Sequence, residues 1–195
     1  MAAQPPPSAA NRGSMVPFFV VLAVALGLLM VYLLFMLGKA AGGVLRGSAM
    51  EAGDRRALPP AVLIPVVPSG EPVELMAYRG DVQVLHFWAT WCGPCLKEYP
   101  DFADYASSGH VPAGVQIYAI SLDDAAEVIP PFLSGVPNSP VVYMDQSGLV
   151  DQLQITSIPT TIVVDKAGRI AWRSSGMADW SERGVPRVVE ELAGE

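Results

Sequence analysis

The chain has 195 residues, of which 51 % are hydrophobic, and its 12 Lys and Arg against 19 Asp and Glu give a net charge of −7. This is room for one ordinary domain and an appendage, and the acidic balance speaks against a nucleic-acid partner. Two cysteines are too few for a disulfide-stapled scaffold, and with only His86 and His110 beside them no four-ligand zinc set forms, so no metal site is expected.

Residues 1–15 hold Pro5-Pro6-Pro7 and small polar residues, a composition that buries no core and predicts disorder. Val16 to Leu37 is about 22 residues without a charge, long enough to cross a bilayer as a helix. It exceeds the apolar core of a cleavable signal peptide, so the expectation is an uncleaved single-pass anchor over 16–37. The Lys and Arg flanking this run do not place the amino terminus inside. Residues 38–58, rich in Gly and Ala and followed by Pro59-Pro60, read as a flexible tether. Arg12, Lys39, Arg46, Arg55 and Arg56 outnumber Glu51 and Asp54 up to Ala57, which leaves about −10 on the remainder.

The domain proper is expected over 59–195. Ala61 to Val67 and Val73 to Leu75 flank a turn at Ser69-Gly70-Glu71-Pro72 and predict a hairpin, with Pro65 and Pro68 confining its first strand to an edge. Val82 to Trp88 is a buried central strand, followed by a helix over about Pro94 to Tyr105. Val115 to Ser121 is a further strand, and Asp123 to Leu133 is a helix interrupted at Pro130-Pro131. Val141 to Met144 is a strand, and a short helix reaches Leu153. Thr160 to Val164 and Arg169 to Arg173 form a hairpin around Asp165-Lys166-Ala167-Gly168. Ser181 to Leu192 is an amphipathic helix with Val185, Val188, Val189 and Leu192 towards a core. The pattern is an α/β fold, a central mixed sheet flanked by helices, with the first hairpin as an amino-terminal extension.

The only cysteines lie in Trp91-Cys92-Gly93-Pro94-Cys95, where the central strand hands over to a helix. A bridge this short removes little entropy from the unfolded chain and suits exchange chemistry better than stapling. Cys92, at the helix amino terminus, gains from unpaired N–H groups and the macrodipole, which lower a thiol pKa; Cys95, one turn in, is expected to be more buried. Trp91 shields the dithiol and meets partners, while Trp88, Trp172 and Trp180 read as packing residues.

Phe87-Trp88-Ala89-Thr90-Trp91-Cys92-Gly93-Pro94-Cys95 resembles the thioredoxin superfamily, in particular its membrane-anchored, extracytoplasmic branch typified by TlpA and ResA. Leu75 to Gly80, Leu96-Lys97-Glu98-Tyr99-Pro100 and Ser157-Ile158-Pro159-Thr160-Thr161 agree with it in order. The resemblance covers about Pro59 to Ala193 and implies a thioredoxin-like fold and a thiol–disulfide oxidoreductase. It makes Cys92 the nucleophile and Cys95 the resolving thiol, with no cofactor beyond the dithiol. It implies a cis Ile158-Pro159 bond and a docking wall for extended substrates made by Trp91, Gly93, Pro94, Ile158 and Pro159. Glu98 takes the place of an acidic residue that tunes thiol pKa values, beside the plain alternative of an exposed helical glutamate. His86 stands where relatives carry Asp or Asn; it reads either as a proton acceptor for Cys95 or as a packed core histidine. The implied partners are protein disulfides, of the cytochrome c maturation or metal-site assembly type, and a membrane thiol-electron donor. The implied location is membrane-anchored and facing the periplasm or extracytoplasmic side. Thiol oxidation or isomerisation, and a non-catalytic accessory role in a membrane complex, are the alternatives.

Overall fold

The computed structural model describes residues 16–44, 48–50, 54–67, 71–75 and 80–195. The expected disorder at 1–15, Pro68 with the first half of the hairpin turn, and Met76 to Arg79 of the matching segment lie outside the described residues. The chain divides into two compact units, 1–42 and 43–195. The first contains most of helix α1, Val16–Val44, a continuous helix because the run has no proline beyond Pro17 and few residues that break a turn. Within α1 the described side chains are those of 20–34, all exposed. That stretch is shorter than the about 20 apolar residues a span needs, so among the described residues no helix is long and apolar enough to cross a membrane.

The second unit holds an eight-stranded mixed sheet in the order β1-β8-β7-β4-β5-β6-β2-β3. In chain order the strands are β1 Ser48–Ala49, β2 Val62–Val67, β3 Val73–Glu74, β4 Val82–Trp88, β5 Val115–Ser121, β6 Val142–Asp145, β7 Thr160–Val164 and β8 Ile170–Ser175. The helices are α2 Gly93–Ser107, α3 Ile129–Leu133, α4 Leu149–Gln152 and α5 Val185–Gly194. β4 pairs in parallel with β5 and antiparallel with β7. All seven of its residues are buried, the polar Gln83 and His86 among them, as a strand with neighbours on both edges and packing on both faces requires. Val82, Val84 and Trp88 face one cluster with Cys95, Tyr99 and Phe102 of α2 and Val185, Val189 and Leu192 of α5. Leu85 and Phe87 face the other, with Leu63, Tyr118, Leu149 and Ile162.

Several elements differ from expectation for local reasons. β2 is not an edge strand, because it lies between β6 and β3. β3 covers only Val62 and Leu63, however, and the pairing with β6 slips between Pro65 and Val67, which is how a proline is accommodated inside a sheet. α2 begins at Gly93 and runs through Pro100 to Ser107. The helix expected over 123–133 is a 3-10 turn, Ala126–Val128, followed by α3. There the two prolines occupy the first turn, where a missing N–H costs nothing. α5 starts at Val185 rather than Ser181, because Gly184 adopts φ −100°, ψ −126° and Pro186 opens the first turn; Val188 is only partly buried. Within the range read as a tether, Ser48 and Ala49 pair with Arg173 and Trp172, and Ala57 bridges Arg169. Arg55 bonds both Asp165, at 3.2 Å, and the side chain of Glu195, at 2.7 Å. These ion pairs hold the carboxyls of Asp165 and Glu195 below the usual range; for Glu195 the hydrogen bond from Arg55 dominates, while for Asp165 the bonds from Arg169 and Arg55 outweigh burial.

The loop before α5 is closed by main-chain bonds from Val185 N to Asp179 O, 2.7 Å, and from Gly184 N to Ser181 O, 2.8 Å. A Cβ on Gly184 would lie 1.9 Å from Asp179 O, a backbone atom that cannot swing away. Gly184→Ala is therefore expected to lose about 1–3 kcal/mol, seen as a lower urea midpoint at constant slope. Gly109→Ala, where a Cβ meets nothing within 4 Å, should leave the midpoint in place.

Candidate active site: a dithiol at the end of the central strand

Beyond Trp88 the chain makes one turn, closed by Cys92 N to Ala89 O at 3.2 Å, and enters α2. Cys92 is the helix cap: its backbone is extended and its Sγ accepts the N–H of Cys95 at 3.2 Å. The two cysteines form a disulfide with Cα atoms 5.2 Å apart. Cys92 is 6 % exposed and Cys95 fully buried, the asymmetry expected of attacking and resolving sulfurs. Opening the bridge leaves Cys92 Sγ at the positive end of α2 with an N–H already aimed at it, an arrangement that favours thiolate. Gly93 and Pro94 are exposed beside it, and Trp91 is 67 % exposed.

The Ile158-Pro159 bond is cis. Ile158 O lies 3.6 Å from Cys92 Sγ, and Pro159 O accepts the N–H of Gly176 at 2.8 Å. Trp91, Gly93 and Pro94 thus adjoin the cysteines in the chain, and Ile158, followed by Pro159, meets Cys92 through its carbonyl.

Sequence reasoning missed Asp123. Its carboxylate accepts from Thr90 N at 3.0 Å and Thr90 Oγ1 at 2.6 Å, and from Ser121 Oγ at 2.7 Å. It ties the turn before Cys92 to the end of β5. An Asp two residues past a strand carries no signal of this, because its partner lies 33 positions away.

Glu98 is not an exposed helical glutamate: it is 4 % exposed. Its Oε1 accepts from Ala178 N at 3.1 Å and Trp180 Nε1 at 2.7 Å, while Oε2 is buried without a hydrogen bond. Burial raises its pKa to about 7, against the opposing pull of the Trp180 and Ala178 bonds and with a further push from Asp101. Trp180, expected only to pack, is therefore also a donor to this carboxyl.

His86 lies on the α2 face of β4, as alternation predicts. It is fully buried, its Nδ1 pairs with Thr161 Oγ1 at 3.0 Å, and its ring stacks on Phe102 at 4.4 Å between centroids. Its Nε2 has no hydrogen bond. Burial lowers its pKa to about 3, so the ring is neutral across pH 6 to 8. Taking up the Cys95 proton requires an imidazolium that this environment strongly disfavours; the geometry is that of a packed core histidine. His110, in an exposed loop, stands apart from the dithiol. Among the described residues no group of His, Cys, Asp or Glu could hold a metal ion.

A helix-capping Cys-x-x-Cys on the central strand of a thioredoxin-like sheet defines a thiol–disulfide oxidoreductase, which uses the dithiol itself and no cofactor. The chain belongs to the AhpC/TSA family, whose profile matches residues 61–173, more than half of its length. It is 30 % identical over 165 residues to the thiol:disulfide interchange protein DsbE homolog of Paracoccus denitrificans, covering 77 % of this chain and 89 % of that one. It is 27 % identical over 144 residues to the sporulation thiol-disulfide oxidoreductase A of Bacillus subtilis, covering 69 % and 86 %. The thiol-disulfide oxidoreductase ResA of B. subtilis is 31 % identical over 105 residues, 52 % of this chain and 57 % of that one. The crystal structure of StoA from B. subtilis superposes with a TM-score of 0.56 at 25 % identity, over 67 % of this chain and 97 % of that chain.

The two buried groups make opposite contributions to stability against pH. Glu98, raised from 4.5 to about 7, stabilises fully below 4.5 and loses that contribution as pH rises to about 7. His86, lowered from 6.5 to about 3, stabilises above 6.5 and loses that contribution as pH falls to about 3. In urea melts, wild type minus Glu98→Gln should therefore fall by up to about 3 kcal/mol between pH 4.5 and 7. Wild type minus His86→Asn should rise over pH 3 to 6.5. Flat difference curves would show that neither group titrates as its burial requires.

Proposed function

We propose that the protein is a membrane-anchored reductase of protein disulfides acting on the extracytoplasmic side. The observation that carries this reading is Cys92 Sγ, which accepts from Cys95 N at the start of α2 and lies 3.6 Å from Ile158 O. The Cys92 thiolate attacks one sulfur of a partner disulfide and expels the other as thiolate, forming a mixed disulfide. Cys95 then loses its proton and attacks Cys92 Sγ, which releases the second partner sulfur and leaves the Cys92–Cys95 bond. Two electrons pass from this protein to the partner. A membrane protein that carries thiol electrons across the bilayer restores the dithiol.

Glu98, with a pKa near 7 and one turn beyond Cys95, is suited to receive the Cys95 proton and tune the pair. Trp91, Gly93, Pro94, Ile158 and Pro159 form the wall against which an extended substrate lies. Gly93-Pro94 between the cysteines, as in thioredoxin, supports reduction over oxidation. The relatives named thiol-disulfide oxidoreductase and thiol:disulfide interchange protein support disulfide exchange; targets of the cytochrome c maturation or metal-site assembly type are what the resemblance of the cysteine segment implies. The uncharged run from Val16 to Leu37, contained in a 29-residue helix, supports single-pass anchoring, with part of 38–58 as tether.

Cys95→Ala should accumulate mixed disulfides through Cys92 in native membranes, and mass spectrometry of the adducts identifies target and donor; an absence of adducts overturns the reductase reading. The reduction potential should lie nearer about −270 mV than the about −120 mV of a strong oxidant. A reporter active only outside the cytoplasm, fused after Glu195, should be on; a silent fusion overturns the topology.

A further inference from the structure

Trp91 is 67 % exposed, and among the described residues neither a hydrogen bond nor a ring contact holds its side chain. Its place is set by the main chain on either side. Thr90 and Trp91 are the two central residues of the turn that Cys92 N closes on Ala89 O. Cys92 fixes the far end of that turn as the cap of α2. Asp123 fixes the near end: it accepts from Thr90 N at 3.0 Å and from Thr90 Oγ1 at 2.6 Å, so the main chain and the side chain of Thr90 are both held.

The carboxylate is itself fixed. Ser121 Oγ donates to it at 2.7 Å and accepts the Asp123 N–H at 3.0 Å. Ser121 lies opposite Trp88 in the β4–β5 ladder, and Leu122 N donates to Trp88 O at 2.8 Å, so the acceptor rides on two paired strand ends. Asp123 and Ser121 are both buried, which keeps water from competing for these bonds, and hydrogen bonds to a carboxylate are stronger than those between neutral groups. A small displacement of a contact that orients a reactant costs much of its rate. We propose that Asp123 is a positioning residue for protein disulfides: by holding Thr90 it keeps Trp91 where an extended partner segment meets it. It thereby speeds attack by Cys92 on a sulfur carried by a polypeptide and not on a small disulfide. The inference rests on the reading of Cys92 as the nucleophile and Trp91 as part of the docking wall.

The test uses the full chain in detergent with Cys95→Ala as the parent, so that Cys92 reacts once. Two disulfides with one leaving group are compared: dithiobis(nitrobenzoate), and acetyl-Ala-Val-Cys-Val-Ala-amide activated as its mixed disulfide with thionitrobenzoate. In each, the Cys92 thiolate bonds to one sulfur and thionitrobenzoate, the better leaving group, departs with the electron pair of the broken S–S bond. Its colour reports the rate. Both reactions use the same thiolate, so a change in its pKa cancels from the ratio of the peptide rate constant to the reagent rate constant. Trp91→Ala should lower that ratio about tenfold, as loss of an aromatic contact does. Asp123→Asn, which removes the charge and one acceptor at constant size, should lower it several-fold. Thr90→Val, which keeps the shape and the main-chain bond, should lower it less in the same direction. In the Trp91→Ala background neither change should lower it further. An unchanged ratio in Trp91→Ala, Asp123→Asn or Thr90→Val overturns the proposal, as does a further fall of the same size without Trp91. A parent that reacts with neither disulfide overturns the reading of Cys92 as nucleophile, a failure distinct from these.

Discussion

The constraint on which the rest depends is the complete enclosure of β4. Both its edges are hydrogen-bonded, to β5 and β7, and both its faces are packed, so neither a polar side chain nor a bend is tolerated along its seven residues without cost. The chain can leave only at the end, and it leaves through Ala89 to Trp91 into the first turn of α2. The capping position of that turn falls on Cys92. A reactive sulfur is thus placed where a fully buried strand meets unpaired helix N–H groups, with its position fixed by a strand paired on both edges.

Beneath that point the core is apolar in composition but not in every atom. His86 Nε2, Glu98 Oε2, Trp88 Nε1 and Gln83 Oε1 are all buried without hydrogen bonds. Such groups are expensive; His86, Glu98 and Trp88 lie on the face of β4 and α2 that also carries Cys95, and Gln83 lies on the opposite face with Leu85 and Phe87. In this dry surrounding a charge is little screened. A proton gained or lost by Glu98 therefore acts on its neighbours far more strongly than it would at the surface.

Local order was the legible part of the sequence. The buried strand, the cysteines at its end, Pro159 before a hairpin and the turn at Asp165 each depend on residues within a few positions of one another, and each lies where the pattern placed it. What the sequence concealed depends on distant partners. Glu98 reads as a surface residue because its burial comes from Ala178 and Trp180, 80 and 82 positions away. Asp123 looks like an ordinary loop residue because Thr90, which it holds, lies 33 positions earlier. The late start of α5 was missed because apolar spacing is blind to backbone angles, and Gly184 sets those. The edge assignment of β2 failed because Pro65 and Pro68 were weighed without knowing how short its neighbour β3 would be, pairing only Val62 and Leu63.

Asp123 joins the ends of two parallel strands through side chains that have no thiol among them. The turn carrying Thr90 and Trp91 is held by the same carboxylate whether or not the sulfurs beyond it are bonded. None of these bonds involves a sulfur, so opening the disulfide removes none of them, and the anchor of this turn is independent of the redox pair.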